Sequence, residues 1–139
     1  MFDFQKLEVY KKAKVFHLDC KSFIVKVKPD SYVKDQLGRA SFSIALNIAE
    51  GSGKFSKADR KNYFTTARGS VFECVAVLDI LCDQGILQKE EFASFSAKAD
   101  ELSRILYAMI KNLSYRTEEF QVSENHPKSS INPTQRVHL

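Results

Sequence analysis

Apolar residues recur at helical spacing in four successive segments of this chain. From about Phe4 to Lys28, the positions Leu7, Tyr10, Ala13, Phe16 or His17, Cys20, Ile24 and Val27 return every three or four residues and trace one stripe. Lys6, Lys11, Lys12, Lys14, Lys21 and Lys26 fall mainly off it. Pro29-Asp30-Ser31 ends this helix, because proline disfavours helical geometry in the residue before it and Asp or Ser suits a new N-cap. A second helix, from about Tyr32 to Glu50, carries the stripe Leu37, Ala40 or Ser41, Ile44 and Ile48. Gly51-Ser52-Gly53 closes it, since glycine enters a left-handed cap at least cost. Ser56-Lys57-Ala58-Asp59 then has the form of a capping box, with Asp59 in place of the usual Glu.

The third helix, from about Lys57 to Gln84, places Phe64, Ala67, Val71, Cys74 or Val75, Leu78, and Leu81 or Cys82 on one face, and Asp83-Gln84-Gly85 stops it. The fourth, from about Lys89 to Tyr115, repeats Phe92, Phe95, Ala99, Leu102, Leu106, Met109 or Ile110, and Leu113. After Phe120 the pattern fails, and Ser123 to Leu139 reads as a disordered tail. Helices of ~23 residues are ~35 Å long, and short links between them force antiparallel neighbours. The expected fold is therefore all-α, an antiparallel up-down-up-down four-helix bundle over residues 1–119 with a tail over 120–139.

Composition narrows the class. At 139 residues and with only five Gly and three Pro, the chain is one domain without the punctuation of a many-stranded fold. No apolar run approaches a membrane span, the first residues lack a signal-peptide pattern, and three cysteines form no disulfide framework; together these point to the cytoplasm and away from a membrane. The net charge of +4 is uneven: residues 1–72 hold fourteen Lys and Arg against seven Asp and Glu, and residues 73–139 hold seven against ten. A basic half attracts phosphate backbones or acidic protein surfaces, and it also results when Lys merely covers solvent-facing helices.

Three strings then carry a resemblance: Phe4 to Ala13 (FQKLEVYKKA), Gln36 to Gly53 (QLGRASFSIALNIAEGSG) and Ala67 to Glu73 (ARGSVFE). Over about residues 2–115 the chain resembles the four-helix bundle proteins encoded within intervening sequences of bacterial 23S rRNA genes, the Asn-Ile-Ala-Glu-Gly string with Ala-Arg-Gly-Ser at this spacing being quite specific. The resemblance implies a homopentameric barrel of bundles, related to nucleic-acid-binding accessory proteins of diversity-generating retroelements, and carries no settled biochemical activity with it. The family often has two basic residues before the Ala of the second-helix motif, where this chain has Gly38-Arg39. A helical glycine costs ~1 kcal/mol relative to alanine.

Enzyme chemistry finds no support in the residues. Gly51-Ser52-Gly53-Lys54 lacks the spacing of a phosphate-binding loop and follows a helix instead of a strand. Inward Glu-x-x-His pairs of a di-iron bundle are absent. His17 and Cys20, one turn apart, offer a metal half-site with Cys74 or Cys82, but buried structural thiols are the commoner reading. No catalytic residue, metal or cofactor is expected.

The expected function is that of a non-enzymatic, oligomeric nucleic-acid-binding protein holding RNA or DNA phosphates through Lys11, Lys12, Lys14, Arg39, Lys54, Lys57, Arg60, Lys61 and Arg68. Asn47, Glu50 and Glu73 are read as a structural polar network, with Asn47 and Glu50 facing Arg60 and Glu73 facing Arg39. Gly69-Ser70 reads as a close helix crossing. Tyr10, Tyr63 and Tyr107 read as core or interface residues before base-stacking ones. Val9, Phe23, Val25, Phe42 and Phe72, beside the main stripes, point to a homo-oligomer, a pentamer by the resemblance. The alternative partner is a protein, such as a polymerase or ribosome-associated factor, bound by a helical adaptor.

Overall fold

A computed structural model describes the backbone of residues 1–124 and the side chains of residues 1–114. Among the described residues the chain forms α1 (Glu8–Val27), α2 (Ser31–Ser52), α3 (Lys57–Asp83) and α4 (Lys89–Glu124), with no strand. The expected tail lies outside the described residues from residue 125 onwards, and the fourth helix continues beyond Tyr115 to Glu124.

Each helix packs against its sequence neighbour, and α1 closes the ring against α4. The directions follow from the bridges. Lys12 pairs with Glu101, Asp19 with Lys98 and Lys26 with Glu91, so numbering rises along α1 as it falls along α4. Gly51 lies against Phe64, and Ser43 against Ser70, which sets α2 and α3 in opposite directions. These stripes meet in one four-helix core that includes Phe16, Leu37, Ile44, Ile48, Leu78 and Leu106, all fully buried.

The ends of the helices show where local physics departs from the periodic pattern. The first α-helix starts at Glu8, four residues later than the expected start near Phe4. Asp3–Lys6 instead form a 3-10 turn, and Leu7 is extended at φ −69°, ψ 128°. Phe4 in that turn packs edge-on against Tyr10 with ring centroids 4.9 Å apart, and this contact folds the N-terminus back onto the bundle. At the other end of α1, Lys28 takes the left-handed conformation (φ 54°) that lets the chain turn into Pro29. Gly53, expected to take it after α2, stays right-handed (φ −89°), and Gly51 lies inside the helix.

Gly51 is needed for space. A Cβ there would stand 2.8 Å from both Phe64 Cε1 and Tyr63 Cβ, so the glycine permits the approach of α2 to the start of α3. Gly69, read as the close crossing, faces open space: a Cβ there meets nothing within 4 Å. Its neighbour Ser70 makes the crossing instead, donating to Ser43 Oγ at 3.0 Å. Two further expectations change for a geometric reason. Val9 and Phe23 are each 4% exposed and belong to the core, because the bundle surrounds α1 on a wider arc than one stripe. Val25, Phe42 and Phe72 do remain exposed.

Candidate nucleic-acid interface

The nine basic positions fall into four environments. On α1, Lys11 pairs with Glu8 at 3.3 Å and Lys12 with Glu101, whose hydrogen bond and charge raise the Lys12 pKa. Lys14 lies over the Tyr10 ring at 4.9 Å. Two of these three charges are thus already met by carboxylates.

Arg68 sits apart, in a groove of about 690 Å³ between α3 and α4 lined by Phe72, Val75, Ala99, Ser103 and Tyr107. Its guanidinium lies 4.7 Å from the Phe72 ring and 5.3 Å from the Tyr107 ring, and Nε donates to the Ser103 carbonyl at 3.3 Å. A cation held by two aromatic faces and a carbonyl is a packing element as much as a charge. Arg39 is exposed on α2, forms no ion pair with Glu73, and shares the outer face with Phe42 and Leu46.

The remaining four cations gather at the α2–α3 turn. Lys57, Arg60 and Lys61 stand at i, i+3 and i+4 on the opening of α3, and Lys54 precedes them in the turn. Among residues 54–61 Asp59 is the single carboxylate, so the segment carries a net +3. None of the ion pairs found among the described residues engages any of the four.

Sequence-local bonds hold this turn in shape. Ser56 is the N-cap of α3, its Oγ accepting from the Asp59 amide at 3.1 Å. Lys54 N–H donates to the Gly51 carbonyl at 3.2 Å, and the Lys54 carbonyl accepts from Arg60 Nε at 2.7 Å. The Lys54 ammonium lies over the Tyr63 ring at 5.1 Å. Arg60 also borders a hollow of about 330 Å³ with Phe4, Leu7, Phe64 and Met109, so the same end of the bundle gathers the N-terminus, the turn and α4.

The polar residues near the end of α2 arrange differently from expectation. Asn47 Nδ2 turns back to Ser43, donating to its carbonyl at 2.8 Å and to its Oγ at 2.9 Å. Ser70 completes this chain, so the α2–α3 polar link is Asn47–Ser43–Ser70. Glu50 and Glu73 are exposed and outside it, and Arg60 spends its Nε on the turn carbonyl. A second, part-buried link joins α1 to α2. His17 Nδ1 and Ser41 Oγ are 2.7 Å apart, Ser41 is fully buried, and the His17 ring lies against Phe42 at 5.3 Å. Burial lowers the His17 pKa, with Lys21 adding to the shift.

Cys20 and Cys74 are buried, and burial pushes the Cys20 thiol up to about 12 and Cys74 higher still. Among the described residues no three His, Cys, Asp or Glu side chains converge to hold a metal, and no helix is long and apolar enough to cross a membrane.

One residue at this end carried no expectation. Phe55, between Lys54 and the Ser56 cap, has its whole ring in solvent at 103% relative exposure. The available signal was an aromatic lying on no stripe between two helix-end signals.

The sequence pattern of the 23S rRNA-intervening sequence protein family matches residues 5–108, which take in α1, α2, this turn, α3 and the first part of α4. The chain belongs to that family. Among solved structures, a crystal structure of a protein with unknown function from the S23 ribosomal protein family of Bacteroides thetaiotaomicron superposes with a TM-score of 0.70 at 24% identity. The match covers 74% of this chain and 98% of that one, and shows that the two share a fold. No curated protein matches the chain. In this intervening-sequence protein the Asn47–Gly51 stretch of the family-like motif has a physical reason: Asn47 links to Ser43 and Ser70, and Gly51 admits Phe64.

Proposed function

We propose that this intervening-sequence protein is a non-enzymatic, oligomeric nucleic-acid-binding protein that holds RNA or DNA phosphates at the α2–α3 turn. The observation that carries the reading is the group Lys54, Lys57, Arg60 and Lys61, four cations in eight residues that no ion pair among the described residues engages. The pinned backbone of the turn fixes their origin, and charges on a fixed frame attract a polyanion without first paying to be ordered.

Assembly multiplies the effect. The chain presents two unlike apolar surfaces, Phe42 with Leu46 on α2 and the Phe72–Val75–Tyr107 groove between α3 and α4. Contact between unlike surfaces is head-to-tail, and a head-to-tail contact that closes makes a ring. A ring of five would repeat the basic turn about one axis. An adaptor reading, in which the α3–α4 groove takes a helix of another protein, draws on the same groove.

The test is an RNA titration at two salt concentrations, with particle mass from light scattering. The parent should bind steeply salt-dependently and weigh about five times its 15.8 kDa chain. Combining Lys54→Glu, Lys57→Glu and Lys61→Glu should weaken binding to every RNA and flatten the log–log salt slope by about 2, at ~0.7 per lost contact on single strands. Unchanged affinity in a folded triple variant removes this turn from the mechanism. A parent that ignores RNA at low salt yet captures a protein independently of salt favours the adaptor.

A further inference from the structure

Phe55 is the most exposed large apolar side chain among the described residues, and it stands inside the basic turn. Burying a phenylalanine contributes ~1.5–3 kcal/mol to a fold. Here the fold takes none of it, although a core lined by Phe64 lies close by in sequence.

The ring is also held out on a fixed base. Before it, Lys54 is tied through its N–H to Gly51 and through its carbonyl to Arg60. After it, the Ser56 Oγ accepts from Asp59 N–H and the Ser56 carbonyl accepts from Arg60 N–H at 3.1 Å. Hydrogen bonds on both sides therefore leave Phe55 as the apex of a braced turn. Cations bracket it in sequence, Lys54 immediately before, and Lys57, Arg60 and Lys61 two, five and six residues after.

A flat, solvent-exposed ring bracketed in sequence by ammonium and guanidinium residues matches one polymer well. Single-stranded nucleic acid alternates unstacked bases, which take an aromatic face, with phosphates, which take cations. A perfect duplex keeps its base faces inside the stack and offers this ring nothing. An anionic membrane surface asks for a continuous apolar face, and the neighbours of Phe55 are Gly53, Lys54, Ser56 and Lys57.

We infer that Phe55 is a base-stacking residue, and that the α2–α3 turn takes a nucleotide from a single-stranded segment: its base on the Phe55 ring, its flanking phosphates on Lys54, Lys57 and Lys61. This rests on the phosphate-binding reading above and narrows it from nucleic acid in general to strands with an unstacked base. The cations supply attraction of any strand. The ring supplies the preference for an unpaired one.

The probe is a single-stranded RNA of about twelve nucleotides, within the ~4–16 nucleotide footprint common for such sites, alone and annealed to its complement. Phe55→Ala should weaken single-strand binding by about 5- to 150-fold, the usual loss for one stacked base, and leave duplex affinity unchanged. The ring is fully exposed, so this variant keeps its fold. The chain contains no tryptophan, so Phe55→Trp creates a unique fluorophore. Its emission should be quenched by the single strand and not by the duplex, with affinity retained.

Single-strand affinity unchanged in Phe55→Ala, or equal losses on both probes, overturns the stacking role. If binding in those cases keeps its salt slope, the phosphate-binding reading stands without it. A parent that binds neither probe at low salt ends both. Phe55→Trp emission that shifts to the blue on phosphatidylglycerol vesicles, with no quenching by RNA, assigns the ring to a lipid surface and overturns the proposal.

Discussion

Gly51→Ala adds a single methyl group, and the structure says where it would go. The new Cβ would stand 2.8 Å from Phe64 Cε1 and from Tyr63 Cβ, where carbon atoms in contact prefer ~3.5–4.0 Å. Phe64 is 5% exposed and has no solvent to swing into. The Tyr63 atom is a Cβ, so it moves only if the backbone of α3 moves. Forcing a methyl into such a site costs ~1–3 kcal/mol.

Against this stands the gain from helix propensity, up to ~1 kcal/mol for glycine to alanine within a helix. Gly38 and Gly69 isolate that gain, since both are helical and an added Cβ meets nothing within 4 Å at either. Gly38→Ala and Gly69→Ala should each stabilise the protein by ~0.5–1 kcal/mol, and Gly51→Ala should lie ~1–3 kcal/mol below them. Urea denaturation at one protein concentration reads the difference as a gap of order 1 M in midpoint at constant slope. Because Tyr63 and Phe64 lie two and three residues after Lys61 in the chain, a displaced α3 should also lower RNA affinity in Gly51→Ala and leave it intact in Gly69→Ala. Gly51→Ala as stabilising as Gly69→Ala would refute the close approach of the two helices.

The His17 pKa is lowered in the fold, so below the ordinary value of about 6.5 the unfolded chain takes up the proton first. The His17 contribution to stability is complete above that value and is lost as pH falls towards the folded pKa; between pH 7 and 5.5, His17→Gln should show a shallower loss of urea midpoint than the parent, and identical slopes would refute the assignment. Cys20 and Cys74 are buried with raised pKa values, whereas Cys82 is partly exposed. A disulfide reagent at pH 8 should therefore modify one thiol quickly in the folded protein and three in denaturant, and a second fast thiol would contradict the burial.

Four helices, their stripes and most of the core were legible in the chain because apolar periodicity is a local property, and burial of such a stripe follows from it. Leu37, Ile44, Phe64, Val71, Leu102 and Leu106 are core residues for this reason. The Ser56 cap was legible for a similar one, since its partner Asp59 is three residues away. The burial of Val9 and Phe23 is not local, because the width of the buried arc depends on how far the other helices wrap around α1. The glycines divide the same way. Sequence alone attributed Gly51 to a turn and Gly69 to a crossing, whereas only the placement of Tyr63 and Phe64 on a neighbouring helix assigns the crowded site to Gly51.

For the candidate site, residue type and charge were visible, and availability was not. Lys12 and Lys61 look alike in a sequence; in the fold one meets Glu101, 89 residues along the chain, and the other meets no carboxylate among the described residues. Arg68 looks like another phosphate ligand until Phe72 and Tyr107 close on it from two helices. Periodicity identifies residues that belong to a helix face, and Phe55 belongs to none. Local pattern determined the helices and the sign of the charge, because both arise from residues close in the chain. The tertiary structure decided which charges remain unpaired and which aromatic stays in solvent, because pairing and burial depend on groups brought together from distant parts of it.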